Sequence, residues 1–276
     1  MPTGVVLAVL FSAVLHAGWN ALLRQSGDRN WAIGWIGVAT FLCSAPFIPF
    51  TGLAVKAWPF VVGSAALHVV YLSLLARAYS KNELSFAYPI ARGTSPLLVA
   101  VGGASFAGEA LRPLAILGIG AIVVGIIGLG IAGKHWDRHG LQTALAIGAV
   151  IAVYTVLDGI GARLCPSSAQ YNVSCFALYG FLVAGSRLMR NGSTGLSGTR
   201  RDILLALGGG ASSVVAYAIV TWAMVHSPLG AVSALRETST LFAAGIGFLF
   251  LNEQFTVQKA LGCTAIVVGA AMVGIH

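Results

Sequence analysis

Charge is what this chain has least of: 8 Asp and Glu and 16 Lys and Arg in 276 residues, 9% in all. Soluble domains carry roughly 25% charged residues, so a water-facing surface cannot be assembled from this material. A soluble enzyme is excluded, and no Ser/His/Asp constellation or metal-ligand spacing points to a membrane enzyme. Cysteine is sparse as well. Cys43, Cys165, Cys175 and Cys263 lie in or beside apolar runs without a CxxC or a nearby His pair, which argues against a zinc site or a disulfide frame and implies no cofactor. Long polar stretches are missing, leaving no room for an extramembrane domain. The net charge of +8 comes from basic residues scattered singly or in pairs, not from the stripe or basic helix that nucleic-acid binding requires. No positive region precedes the first apolar run, which therefore reads as a span rather than a signal peptide, with Arg24 and Arg29 after it.

Apolar residues are what is abundant, at 57%, with 35 glycines and a mean hydropathy of +0.87. At about 20 residues per crossing, ten transmembrane helices fit. Uncharged stretches place them near 3–23, 31–52, 57–76, 84–107, 113–133, 141–162, 167–186, 203–225, 228–251 and 255–275. The alternation of a membrane β-barrel is absent, so the fold class is an all-α polytopic membrane protein. Topology follows from Lys and Arg. Loops after odd-numbered spans hold Arg24, Arg29, Arg77, Lys81, Lys134, Arg138, Arg187, Arg190, Arg200, Arg201 and Lys259, whereas even-numbered loops hold only Lys56, Arg112 and Arg163. Odd loops are expected in the cytoplasm and both termini outside the cell (inner) membrane.

The sequence also echoes itself. A shift of 144 residues lays Ala91-Arg92-Gly93-Thr94-Ser95 on Leu235-Arg236-Glu237-Thr238-Ser239, Glu109 on Glu253, Gly118 on Gly262 and Ile122-Val123-Val124-Gly125 on Ile266-Val267-Val268-Gly269. Earlier in each half a shift of 138 lays His16 on Tyr154 and Asn20 on Asp158. Two five-helix units are expected, over 1–138 and 139–276. An odd number of crossings inverts the second relative to the first, the arrangement of secondary transporters with a site near the midplane.

Two units of five helices, each with a Gly-Glu or Asn-Glu turn (Gly108-Glu109, Asn252-Glu253) before a Gly-rich fifth helix, resemble the EamA-type permeases of the drug/metabolite transporter superfamily. The resemblance spans the whole chain and implies an exporter of small metabolites such as amino acids. His16-Ala17-Gly18-Trp19-Asn20 and Tyr88-Pro89-Ile90-Ala91-Arg92 resemble a subgroup associated with phosphonate utilisation. Uptake of an organophosphonate or sugar-like solute is therefore an alternative, and a non-transporting scaffold or sensor subunit is another. The charge bias departs from the resemblance, which implies cytoplasmic termini. Expected partners are a small-molecule substrate and the bilayer, with no nucleic acid and no ATPase subunit, the chain being a monomer or homodimer.

The few charges inside spans are the candidate site. An Arg at mid-bilayer costs at least about 2.5–3.5 kcal/mol, so Arg92 and Arg236 need partners or a wet cavity. Either binds a substrate carboxylate or phosphonate through its planar fork, or pairs internally, Arg236 with Asp158 or Glu237. Tyr88, Arg92 and Ser95 share one helix face. Ser12, His16 and Asn20 form a second stripe, Tyr154 and Asp158 a third, and Ser213, Tyr217 and Thr221 a fourth; Trp19, Tyr71 and Trp222 are placed to reach the same cavity. Each Ser or Thr has the competing reading of an interhelical hydrogen bond, worth about 0.6 kcal/mol. Asp158 is either the coupling-proton carrier or the fixed partner of an arginine, and His16 and His68 are relay candidates or packing residues. Glu109 and Glu253 precede helix starts and read as structural caps. Gly128-Leu129-Gly130-Ile131-Ala132-Gly133 imitates a nucleotide loop, but it ends an apolar run instead of following a strand.

Overall fold

The computed structural model describes residues 1–24, 29–80, 84–131, 138–192, 197–250 and 256–274. Among them every regular element is helical: α1 (Thr3–Arg24), α2 (Arg29–Ser44), α3 (Ile48–Thr51), α4 (Trp58–Ser80), α5 (Leu84–Phe106), α6 (Pro113–Ile131), α7 (Arg138–Arg163), α8 (Ser168–Asn191), α9 (Arg200–His226), α10 (Leu229–Arg236), α11 (Ser239–Phe250) and α12 (Val257–Gly274). Apolar runs of this length form helices because hydrocarbon offers the backbone no partner, and a helix satisfies its own N–H and C=O groups.

Seven stretches of the described residues are long and apolar enough to cross a membrane: Thr3–Asn20, Trp31–Thr51, Val55–Leu75, His139–Arg163, Ser168–Met189, Arg200–His226 and Val257–Gly274. α6 is a shorter apolar helix over Pro113–Leu129. α5 continues through Pro89 and Pro96 without a break.

The expected continuous ninth span is corrected. It is two helices, α10 and α11, separated at Glu237 and Thr238. Tight i to i−3 bonds run from the Glu237 and Thr238 N–H groups to the Ala234 and Leu235 carbonyls, and Thr238 Oγ1 donates to Leu235 O at 2.8 Å. The break leaves irregular backbone deep in an apolar bundle. That is tolerated only inside protein, and residues 229–239 are all buried.

Loops gather at two ends. At one, the Ala54 N–H donates to Ser174 Oγ (3.0 Å), Gln170 Nε2 to Thr51 O (3.1 Å) and Arg163 to Glu109. At the other, Trp31 Nε1 donates to Ser197 O (2.7 Å) and Gln258 Nε2 to Gly128 O (3.2 Å). An apolar core of Val9, Val99, Val156, Val220, Met224 and Leu229 fills the bundle toward the first end. Cys165, in the turn after α7, joins the neighbouring core; burial raises its thiol above the ordinary range and keeps it protonated.

α6 and α12 meet along glycines. A Cβ added at Gly269 would stand 2.5 Å from the Gly118 carbonyl oxygen, and one at Gly125 would stand 2.7 Å from that of Gly262. Small residues let two backbones touch, which is what holds helices together where the hydrophobic effect between them is absent. Gly269→Val should therefore lower stability by about 1–3 kcal/mol, the usual range for overpacking. Thermal unfolding in detergent checks this, with the outward-facing Val267→Ala as the silent control.

Candidate functional site

Nine helices contribute to one cavity of about 240 Å³ in the bundle. It is at the small end of pockets that bind single small molecules, typically about 300–1,000 Å³. The C-terminal halves of α1 and α4 contribute His16, Trp19, Asn20, His68 and Tyr71; α5 gives Arg92, α7 Tyr154, α9 Tyr217, α10 Arg236, and α2, α8 and α11 complete the wall. These residues run from mid-bundle toward the end that carries the loops after α1 and α4. Toward the opposite end the apolar core described above closes the path.

A charged triad lies at the helix break. Glu237, fully buried, sits between two arginines that are each 4% exposed. Arg92 Nε approaches Glu237 Oε2 at 2.5 Å, as an ion pair without well-directed hydrogen-bond geometry. Arg92 Nη1 meets His16 Nε2 at 3.0 Å, and Nη2 donates to Ser239 Oγ at 2.8 Å. An arginine can only donate, so Nε2 of His16 supplies a lone pair and the ring is neutral. The proton of the neutral ring then sits on Nδ1, so the Trp19 indole, 3.3 Å away, meets the imidazole edge to face and does not donate to it. Arg236 is held more loosely. Its Nη2 lies 3.7 Å from Glu237 Oε1, its Nε has no hydrogen-bond partner among the described residues, and its guanidinium stands 5.7 Å from the Tyr217 ring centre.

Opposite the triad the wall is aromatic. Tyr154 stacks on His68 at 4.0 Å between centres, with Tyr71 edge-on at 6.1 Å and Tyr217 at 6.4 Å. His68 Nδ1 reaches the Ser64 carbonyl at 2.9 Å, which fixes the ring. Asn20 Nδ2 donates to His16 O at 2.8 Å, leaving its side-chain oxygen available to accept.

Several expectations change on contact with this geometry. Asp158 is in no arginine pair and is not on the cavity wall; it accepts hydrogen bonds from Tyr171 (2.8 Å) and Tyr217 (2.5 Å). Ser95 points away from the cavity, 3.5 Å from the Arg92 carbonyl and fully buried. Thr221 bonds its own helix at Tyr217 O, whereas Ser12 lines the cavity and also bridges to Ala216 O on α9. Trp222 is 38% exposed beside His226 and does not reach the cavity. The side chain of Tyr88, and Glu253, lie outside the described residues.

Glu109 is a cap, but of another helix. Its Oε2 accepts from the Leu229 N–H at 2.8 Å, at the start of α10, and Oε1 pairs with Arg163 at 2.5 Å. Arg163 also donates to the Met224 and Ser227 carbonyls at the end of α9. Free N–H groups at a helix start attract a carboxylate, and free carbonyls at a helix end attract a guanidinium; one ion pair does both here. Tyr171 and Arg163 were missed as site-shaping residues. Tyr171 lies 13 residues from Asp158 on a different helix, and no sequence pattern joins the two. Arg163 is one of only three basic residues at its end of the bundle, which was its signal.

Residues 139–275 match the model of the EamA-like transporter family. No curated protein is matched by the sequence. One solved crystal structure resembles the chain at 19% identity and a TM-score of 0.78, covering 98% of each; at that identity the likeness is one of fold.

Glu237 needs a positive partner, so removing Arg92 strands a buried carboxylate. Arg92→Met should destabilise by about 3–5 kcal/mol. Adding Glu237→Gln should recover most of the loss. Melting temperatures of the two variants decide it; a stable Arg92→Met would show that the ion pair is dispensable.

Proposed function

Because the chain belongs to the EamA-like transporter family, we propose that it is a secondary transporter that exports small metabolites, amino acids among the candidates, by alternating access around the central cavity. The observation that carries this reading is a cavity between helices of both halves, lined by polar and aromatic side chains, with a packed apolar core and an ion pair between it and one end of the bundle.

The finer architecture we propose is ten crossings in two inverted repeats, 1–138 and 139–276. Reciprocal contacts support it. Under the 144-residue shift Gly118 corresponds to Gly262 and Gly125 to Gly269, and Gly118 meets Gly269 while Gly125 meets Gly262. Each equivalent pair is thus exchanged across the α6–α12 contact, as a two-fold axis through it requires. Likewise Arg92 and its equivalent Arg236 both reach the cavity.

By the Lys/Arg bias, the end toward which the cavity residues run is cytoplasmic, in an inner membrane with external termini. The Glu109–Arg163 pair then belongs to the outer closure. Asp158 sits behind Tyr217 and is a candidate proton carrier linked to the cavity through that hydroxyl. Proton exchange, the substrate gradient or the membrane potential are the available driving forces.

Flux into proteoliposomes tests the transport reading. Ser213 lines the cavity, so Ser213→Trp should fill it and abolish saturable flux of whatever metabolite is moved while leaving the melting temperature within a few degrees. Unchanged flux in that variant would show that the cavity is not the route. Glu109→Gln should weaken the outer closure. A cysteine placed at Ser213 should then react faster with a membrane-impermeant thiol reagent added outside.

A further inference from the structure

We propose that the cavity selects organic monocarboxylates with a flat aromatic or similarly apolar body, held through Arg236, and disfavours amino acids, amines and dianions. The proposal rests on the reading that this cavity is the solute site. It departs from the symmetric roles that sequence gives the two arginines.

The two guanidinium groups are not equivalent. All three nitrogens of Arg92 are engaged, by Glu237, His16 and Ser239. Arg236 is equally buried, and the nearest carboxylate oxygen is 3.7 Å away. Its Nε finds no acceptor among the described residues, and it lines the cavity. A buried guanidinium without directed acceptors is an incomplete bidentate site, and a carboxylate completes it.

Charge sets how many negative charges the site takes. Glu237 is spent on Arg92, whose bond to His16 requires a neutral ring, and Arg236 is left as the guanidinium facing the cavity with open donors. His68 directs Nδ1 at a backbone carbonyl. Asp158, its acidic neighbour, stands behind Tyr217 with each oxygen taken by a tyrosine hydroxyl. One carboxylate answers Arg236. A second would leave an uncompensated anion, costly where water is scarce.

Among the described residues the wall holds arginines and histidines but no carboxylate. An ammonium group entering with the carboxylate would meet hydroxyls and an amide but no counter-charge. The aromatic surface of Tyr71, Tyr154 and Tyr217 is suited to the remainder of the ligand, because flat rings stack or meet edge to face at the 4.5–7 Å typical of such pairs. The small volume limits that body to about one ring.

Four ligands of one shape test this: 3-phenylpropionate, L-phenylalanine, phenethylamine and phenylsuccinate, titrated calorimetrically at neutral pH into the full-length chain in detergent. 3-Phenylpropionate is expected to bind about tenfold or more tighter than each of the others. Arg236→Gln should erase that preference and Arg236→Lys should retain part of it, which separates loss of the site from loss of the fold. Equal or tighter binding of phenylalanine or phenylsuccinate overturns the proposal, as does a preference that survives in Arg236→Gln or the absence of binding by all four. Flux is read separately. Binding of 3-phenylpropionate without flux would count against the transport reading alone, and flux of phenylalanine without 3-phenylpropionate preference would count against the ligand class alone.

Discussion

The buried carboxylate of Glu237, set between Arg92 and Arg236, is the interaction on which the rest of the structure depends. Three charges in a low-dielectric bundle are costly singly and tolerable together. Bringing them together requires α10 to stop at Arg236 and α11 to begin again two residues later, so that Glu237 turns toward α5. The broken helix, the position of α5 and the neutral His16 all follow from that requirement. The cavity is the space the triad keeps polar.

The two ends of the bundle are built by different means. Toward the N-terminal end, apolar side chains from α1, α5, α7, α9 and α10 pack without a gap, and Glu109 and Arg163 tie the α5–α6 turn to the ends of α9 and α10. Packing gives that closure its stability, and the ion pair gives it geometry, because it satisfies a helix start and a helix end at once. Toward the other end the wall is lined by polar and aromatic side chains.

Much of the fold was legible because hydropathy reports directly on burial in lipid. The helices coincide with the apolar runs, though α7, α8 and α9 extend beyond them into polar sequence, since backbone hydrogen bonding continues past the hydrocarbon edge. The failure came at 228–251, read as one span although it conceals two helices. The polar stretch Arg236-Glu237-Thr238-Ser239 was read as site chemistry, whereas it is also a turn, made by Thr238 bonding back to the Leu235 carbonyl and by the pull of Arg92 on Glu237. Polar stripes on α1, α5, α7 and α9 were readable by helical spacing, and the structure brings His16, Asn20, Arg92, Tyr154 and Tyr217 from them, with Tyr71 and Arg236, to one cavity. Ser95, Asp158 and Thr221 share the same stripes but point elsewhere, because periodicity gives the face of a helix without its neighbour.

By itself the sequence determined that this chain is helical and membrane-embedded, that stretches of its two halves echo each other, and that its charges inside apolar runs are a handful. Those conclusions rest on composition and spacing, which are properties of the chain before it folds. Tertiary structure alone decided that Arg92 is spent on Glu237 while Arg236 is held loosely, that Asp158 answers to two tyrosines, and that Glu109 caps a helix 120 residues away. The physical reason is that a buried charge is defined by its partner, and partners here come from helices that only packing makes neighbours.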